Sequence, residues 1–389
     1  MKEPANKVKG LTILLTLKGR NLHTLRWLWH ANRICLPFHV IVADGEVHPT
    51  IDRLMSNPET FSNLSFEYLR YEDKSFRDFY YKCTDALDKV KTPYVMISDN
   101  DDFLFPYGLQ KSMAFLDEAP EYVCAGGGIP GFSLATEVNH ISNVSGPLKS
   151  IKYRCILNEW YRCRNIDNAS VATRVLEETR NPLSVYYNIY RTSALKTINN
   201  EIFECDISFR LHEIYHALRT VTLGKVRSDP SFFTYLRQDG TSMNFGSNTE
   251  WIDELFRCRF AQDLEAMVTR MACEAAKSDG CNQSEIQDQI HEFYTAHLKQ
   301  AIASTLISSR FPRLVSFKRR ISSLPRPRLS SVFFRQKPDQ EKIWKLLAAD
   351  GADKDTITAH QKELKDIIHT LKGDEFVSFV SQNAKELLV

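Results

Sequence analysis

The chain has 389 residues, 43% of them apolar and 25% charged, with a formal net charge of +2. That length exceeds one ordinary core, and that composition excludes a disordered or fibrous chain. A charge so near zero excludes a protein built as a whole for nucleic acid, and no apolar run approaches the roughly 20 residues a membrane span needs.

In chain order, GLTILLTL (10–17) is a short apolar run that reads as a buried strand. Asn21 is placed to cap the segment that follows, where Leu22, Leu25, Leu28 and Trp29 recur at helical spacing. FHVIVADG (38–45) is a second strand, closing on an acid and a glycine. This strand–helix–strand start has the length of a right-handed crossover. FEYLRY (66–71) reads as a third strand, and residues 75–90 as a helix with Ser75 as N-cap and Asp78 three positions on. Pro93 opens a fourth strand, YVMIS (94–98), which breaks into DNDDF, and Pro106 starts a further helix to about Leu116. YVCAGGG (122–128) is a fifth strand. Residues 130–183 read as an irregular excursion, SVYYNIYRT (184–192) as a strand, 207–220 as a helix and SFFTYLRQ (231–238) as a strand. Beyond about 245 the pattern is helical. Strands alternating with helices predict an α/β fold with a mostly parallel sheet covered on both faces, followed by a helical C-terminal region.

Asp99, Asp101 and Asp102 place three carboxylates within four positions, with no compensating charge nearby in the sequence. Such crowding is best tolerated around a divalent cation. The cluster ends a predicted parallel strand, where α/β sheets bind ligands, and all-oxygen donors suit Mg²⁺ or Mn²⁺. A solvated acidic turn ahead of the Pro106 helix is the bland alternative.

The segment TPYVMISDNDDFLFPYGL resembles the strand and D-x-D segment of GT-A-fold glycosyltransferases, particularly bacterial inverting enzymes similar to family 2. LTILLTLKGRN, VIVADG, LHEIYHALRTVTLGKV and YLRQDGTS resemble further pieces of that pattern, in its order, from about Leu11 to Ser242. The resemblance implies a GT-A-like, Rossmann-type domain that takes a nucleotide-sugar donor with Mn²⁺ or Mg²⁺. It implies Thr16, Arg20, Asp44, Lys82, Asp99 and Arg237 as donor contacts, with Asp44 at the base and the cations at the diphosphate. It implies Asp99, Asp101 and Asp102 around the metal, and Glu213 as the catalytic base. The usual Glu-Asp pair is His212-Glu213 here, a departure that bears on acceptor geometry. The acceptor it implies is a glycan or lipid-linked glycan of bacterial surface polysaccharide synthesis, lipopolysaccharide included.

Two other readings compete. His212, Glu213 and His216 have the H-E-x-x-H spacing of zinc hydrolases, although no third ligand of the H-x-x-G-x-x-H kind follows. A non-catalytic membrane-associated binding protein is the other. Residues 301–338 contain no acid but nine Arg and Lys, with Phe311, Phe317, Phe333 and Phe334. That stretch suits either an anionic membrane surface or a solvated basic linker, the latter favoured by Pro325 and Pro327. Nucleic acid is not expected as a partner. The polar N-terminus lacks a secretory pattern, and nine cysteines occur without a C-x-x-C pair. Both point to the cytoplasm, with the inner membrane face as the place a lipid-linked acceptor would require. The expected organisation is a catalytic domain over 1–245, a helical extension over 246–309, the basic segment over 310–338 and a helical tail over 339–389.

Overall fold

The computed structural model describes residues 10–48, 51–57, 59–134, 155–157, 164–182, 185–238, 258–310 and 340–383. Strands β1 (Leu11–Leu17), β2 (His39–Asp44), β3 (Phe66–Arg70) and β4 (Tyr94–Ser98) alternate with helices α1 (Asn21–Arg33), α2 (Asp52–Ser56) and α3 (Phe76–Lys89). There follow β5 (Phe103–Leu104), α4 (Pro106–Glu118), β6 (Tyr122–Gly128), β7 (Gly131–Leu134), β8 (Cys155–Leu157) and α5 (Val171–Arg180). Next come β9 (Ile189–Arg191), α6 (Thr192–Cys205), α7 (Phe209–Leu223), β10 (Lys225–Phe233) and β11 (Tyr235–Gln238). The C-terminal part is helical: α8 (Cys258–Asp279), α9 (Gln283–Arg310), α10 (Gln340–Ala349), α11 (Lys354–Lys372) and α12 (Asp374–Gln382).

The main sheet has seven strands in the order β10-β6-β9-β4-β1-β2-β3. All its pairs are parallel except the two made by β9. Among the parallel strands, with the antiparallel β9 set aside, sequence order runs outward from β1 through β2 to β3 and from β4 through β6 to β10. Connections leaving their carboxyl ends therefore part to opposite faces and open a crevice. A smaller sheet, β5-β11-β7-β8, lies beside it.

Alternation along each central strand divides the core. Leu14 of β1, Ile41 and Ala43 of β2, and Val95 and Ile97 of β4 belong to one cluster, shared with α3 and α5 to α9. Leu11, Ile13, Leu15, Val40, Val42 and Met96 face the other way, against α1, α2 and α4. Burial on both faces explains why these strands read as unbroken apolar runs. A third cluster joins Phe103, Phe105, Phe132, Phe233 and Leu236 to Ile343, Leu347, Leu364, Ile367 and Leu371 of α10 and α11.

The expected mostly parallel sheet and helical C-terminal region are both present. The Ser75 cap forms a full capping box with Asp78. Several local expectations are corrected. The N-cap of α1 is Arg20, in left-handed conformation, and Asn21 is the first helical residue. The strand expected over 184–192 is confined to Ile189–Arg191, and α6 follows directly. The expected strand over 231–238 is two strands broken at Thr234. The excursion over 130–183 contains β7, β8 and α5; 135–154, 158–163 and 183 lie outside the described residues. Residues 311–339, most of the basic stretch, also lie outside them. Among the described residues no helix is long and apolar enough to cross a membrane.

Candidate active site

The crevice at the carboxyl ends of β1 and β4 gathers the polar side chains. After β1 the chain turns through Gly19 and Arg20, both at positive φ (67° and 58°). For Arg20 that left-handed conformation costs roughly 1–2 kcal/mol. It is offset by a charge-assisted contact: Arg20 Nη2 lies 2.5 Å from Asp101 Oδ2. The acidic cluster is thus partly neutralised, by a cation 81 positions away that the local sequence could not reveal.

Asp99, Asp101 and Asp102 each offer a carboxylate oxygen within 4.8 Å of the others, the one group of three potential His, Cys, Asp or Glu metal ligands among the described residues. Each is fixed by a different partner. Tyr187 donates its hydroxyl to Asp99 Oδ2 at 2.5 Å. Asp102 accepts from the Tyr235 hydroxyl at 2.6 Å and from the Gln238 backbone N–H at 2.6 Å, so both its oxygens are bonded within the fold. The Tyr187 and Tyr235 rings stack with centroids 4.6 Å apart. Arg26, buried under the loop, donates to the Asp101 carbonyl at 3.2 Å and to Gln238 Oε1 at 2.9 Å. Asn100 donates to Thr24 Oγ1 at 2.9 Å. Sequence reasoning missed Tyr187, Tyr235, Gln238 and Arg26; an aromatic doublet and a polar residue ending a strand are faint signals.

Burial raises the Asp99 carboxyl to about 6, against the Tyr187 hydrogen bond and with the Asp101 charge adding to the rise. Burial, then the charges of Asp101 and Asp99, push Asp102 well above the usual carboxylate range. Carboxyls so disfavoured as anions are a ready seat for added positive charge. The donor set fits Mg²⁺ or Mn²⁺, which take one or two carboxylates and complete their shell with phosphate oxygens and water.

The other expected site residues lie around this centre. Arg237 is half-buried and close enough for its charge to lower Asp99. Thr16, half-buried near the end of β1, is in register with Ala43. Asp44, fully buried at the end of β2, accepts from the Tyr68 hydroxyl at 2.8 Å and the Glu46 N–H at 2.9 Å; burial raises its pKa. Lys82 is 1% exposed, pairs with Asp73 and donates to the Leu17 carbonyl at 3.0 Å. Its charge thereby braces the loops after β1 and β3. Gly45 allows this: a Cβ there would stand 2.0 Å from Asp73 Oδ2.

Glu213 is exposed on the first turns of α7. Because α7 leads into β10, which runs parallel to β6, the N-terminus of α7 lies at the same end of the sheet as the acidic loop. The half-buried Tyr186 ring lies in the field of both Asp99 and Glu213. His212 and His216 are buried, at 6% and 1% exposure, and packed in aromatic rings. His212 stacks on Tyr80 at 5.6 Å, and His216 meets Tyr186 at 5.1 Å and Tyr190 at 5.4 Å. No third ligand joins them among the described residues, which removes the zinc-hydrolase alternative its basis there.

No family model and no curated protein sequence matches the chain. Among solved structures it is similar to S. aureus TarS at 14% identity and TM-score 0.45, over 74% of this chain and 43% of that one. It is likewise similar to S. aureus TarS 1-349 in complex with UDP (14% identity, TM-score 0.46, 75% and 72% of the two chains). For S. aureus TarS 1-349 in complex with UDP-GlcNAc the figures are 14%, 0.43, 75% and 73%. The aligned part spans under half the length of the first of these chains.

Proposed function

We propose that the protein is a metal-dependent glycosyltransferase that moves a sugar, with inversion, from a nucleotide-sugar donor to a glycan or lipid-linked glycan acceptor. The observation that carries this reading is the carboxylate cluster at the point where strand order reverses, with Arg20 across it and Glu213 on the facing helix. Asp99 and Asp101 would hold Mn²⁺ or Mg²⁺; Asp102, bonded at both oxygens, braces the loop. Bound there, the metal would supply positive charge for the phosphate leaving group. Arg20 and Arg237 add fixed cationic charge at the same rim, in a site that needs no reorganisation as the donor bond breaks. Asp44 closes the neighbouring strand; fully buried and bonded at both oxygens, it would brace the floor of a base pocket.

Glu213 takes the acceptor's proton. The acceptor O–H bond breaks, its oxygen bonds the anomeric carbon, and the bond to the diphosphate breaks with its electron pair leaving on phosphate. A single displacement of this kind inverts the anomeric centre, by the same facial logic that separates inverting from retaining hydrolysis. The role in surface polysaccharide synthesis, and contact of residues 301–338 with an anionic membrane, belong to the same proposal. Glu213→Gln tests it. Nucleotide binding is expected to persist while turnover falls roughly 10²- to 10⁴-fold, the usual contribution of a general base. A fully active variant would remove Glu213 from the mechanism.

A further inference from the structure

Among the described residues three large apolar side chains are exposed: Phe76 at 45%, Tyr81 at 51% and Leu223 at 38%. Phe76 opens α3, just past the Ser75 cap, at the carboxyl end of the sheet. A capped first turn gives no reason for a phenyl ring there, and leaving it half in water forgoes much of what its full burial would contribute. Instead it stacks on Phe209, centroids 4.1 Å apart and planes 16° apart. Phe209 is the first residue of α7 and stands four positions before Glu213, one turn away on the same helix face. Behind Phe209 the rings continue inward. His212 is parallel to it at 6.0 Å, Tyr186 meets His212 edge-on at 5.8 Å, and Tyr187, next in sequence, holds Asp99.

The geometry points to the Phe76–Phe209 step as the acceptor subsite, and to a neutral saccharide as its ligand, stacked by a C–H face on Phe76 with a hydroxyl toward Glu213. This rests on the glycosyl-transfer reading and adds the acceptor's seat to it. A pyranose ring has one face of C–H bonds whose partial positive charge suits the negative face of an aromatic ring. Its edge carries the hydroxyl that a carboxylate base must reach. Among the described side chains, the cations Arg77 and Arg259 pair with Asp206 and Lys74 pairs with Glu72, which favours a neutral ligand over an anionic one.

The test uses the full chain, Phe76→Ala and Phe76→Trp. Malto-, cello- and chitohexaose are titrated by calorimetry, and nucleoside diphosphates with Mn²⁺ are titrated in parallel. At least one hexaose is expected to bind the native chain and Phe76→Trp, and to bind Phe76→Ala roughly three- to tenfold more weakly, the range of one aromatic stack. Nucleotide affinity should not change. Equal saccharide binding by Phe76→Ala, or none by the native chain, overturns the subsite. If nucleotides also fail to bind the native chain, the glycosyl-transfer reading itself falls.

Discussion

At the scale of single residues, the two histidines beside Glu213 show how burial decides a role that spacing leaves open. Both lie one turn apart, as a zinc pair would. Burial lowers His212 to about 4, and burial with the His212 charge lowers His216 to about 3, so both rings are neutral at pH 7. Among the described residues, neither ring nitrogen of His216 has a hydrogen-bond partner. Unfolded, each ring titrates near 6.5. Between these values the unfolded chain binds more protons, so stability is full above about 6.5 and is lost as pH falls, by about 1.4 kcal/mol per unit for each such group. His216→Phe is therefore expected to flatten the acid limb of a plot of unfolding free energy against pH between 4 and 6, and to keep activity. An unchanged slope would show that His216 is protonated in the fold, and lost activity would restore a role for its nitrogens. The acid triad was legible as a charge problem at a strand end. Its solution was not, because Arg20 and Tyr235 reach it through the tertiary fold alone.

Among the elements, α4 links the acidic loop to the C-terminal helices. It starts at Pro106, directly after β5, and its orphan Tyr107 N–H donates to Glu363 Oε1 at 2.7 Å on α11. The other oxygen of Glu363 pairs with His360 Nδ1 at 2.8 Å, and His360 Nε2 accepts the Phe233 N–H at 3.1 Å. A residue 256 positions away thus supplies the cap that a local side chain usually provides. Glu363→Ala leaves a helix donor and a buried histidine without their partner and is expected to destabilise by about 1–3 kcal/mol. Denaturant unfolding checks this; a change below a few tenths would mean water replaces the carboxylate. Local signals placed α3, capping box included, and the first four strands to within a residue or two. They failed for α1's cap, where Arg20 is drawn into left-handed backbone beside Asp101. They failed at 184–192 too, because Tyr186 and Tyr187 read as strand residues but serve the site from a turn before β9.

Across the whole molecule, the C-terminal helices are part of the structure that holds the site. Ile343, Leu347, Leu364, Ile367 and Leu371 share a cluster with Phe103 and Phe105, which follow the acidic loop, and Phe376 packs on Trp29 of α1. Helices α8 and α9 share the cluster of the sheet's other face. Helical periodicity after residue 245 revealed these helices but not their seats, since an amphipathic stripe does not say which surface it covers. The parallel sheet was legible because both faces are buried, and the crevice follows from its order. The most direct test of the central claim is thermal unfolding of the native chain and Asp101→Asn with UDP, GDP, ADP, TDP and CMP, each with and without Mn²⁺. A nucleotide at 100 times its Kd adds about 2.7 kcal/mol, and we predict an increase in Tm of a few degrees for one of them, dependent on Mn²⁺ and absent in Asp101→Asn. No shift with any nucleotide, or an equal shift in Asp101→Asn, would contradict the account.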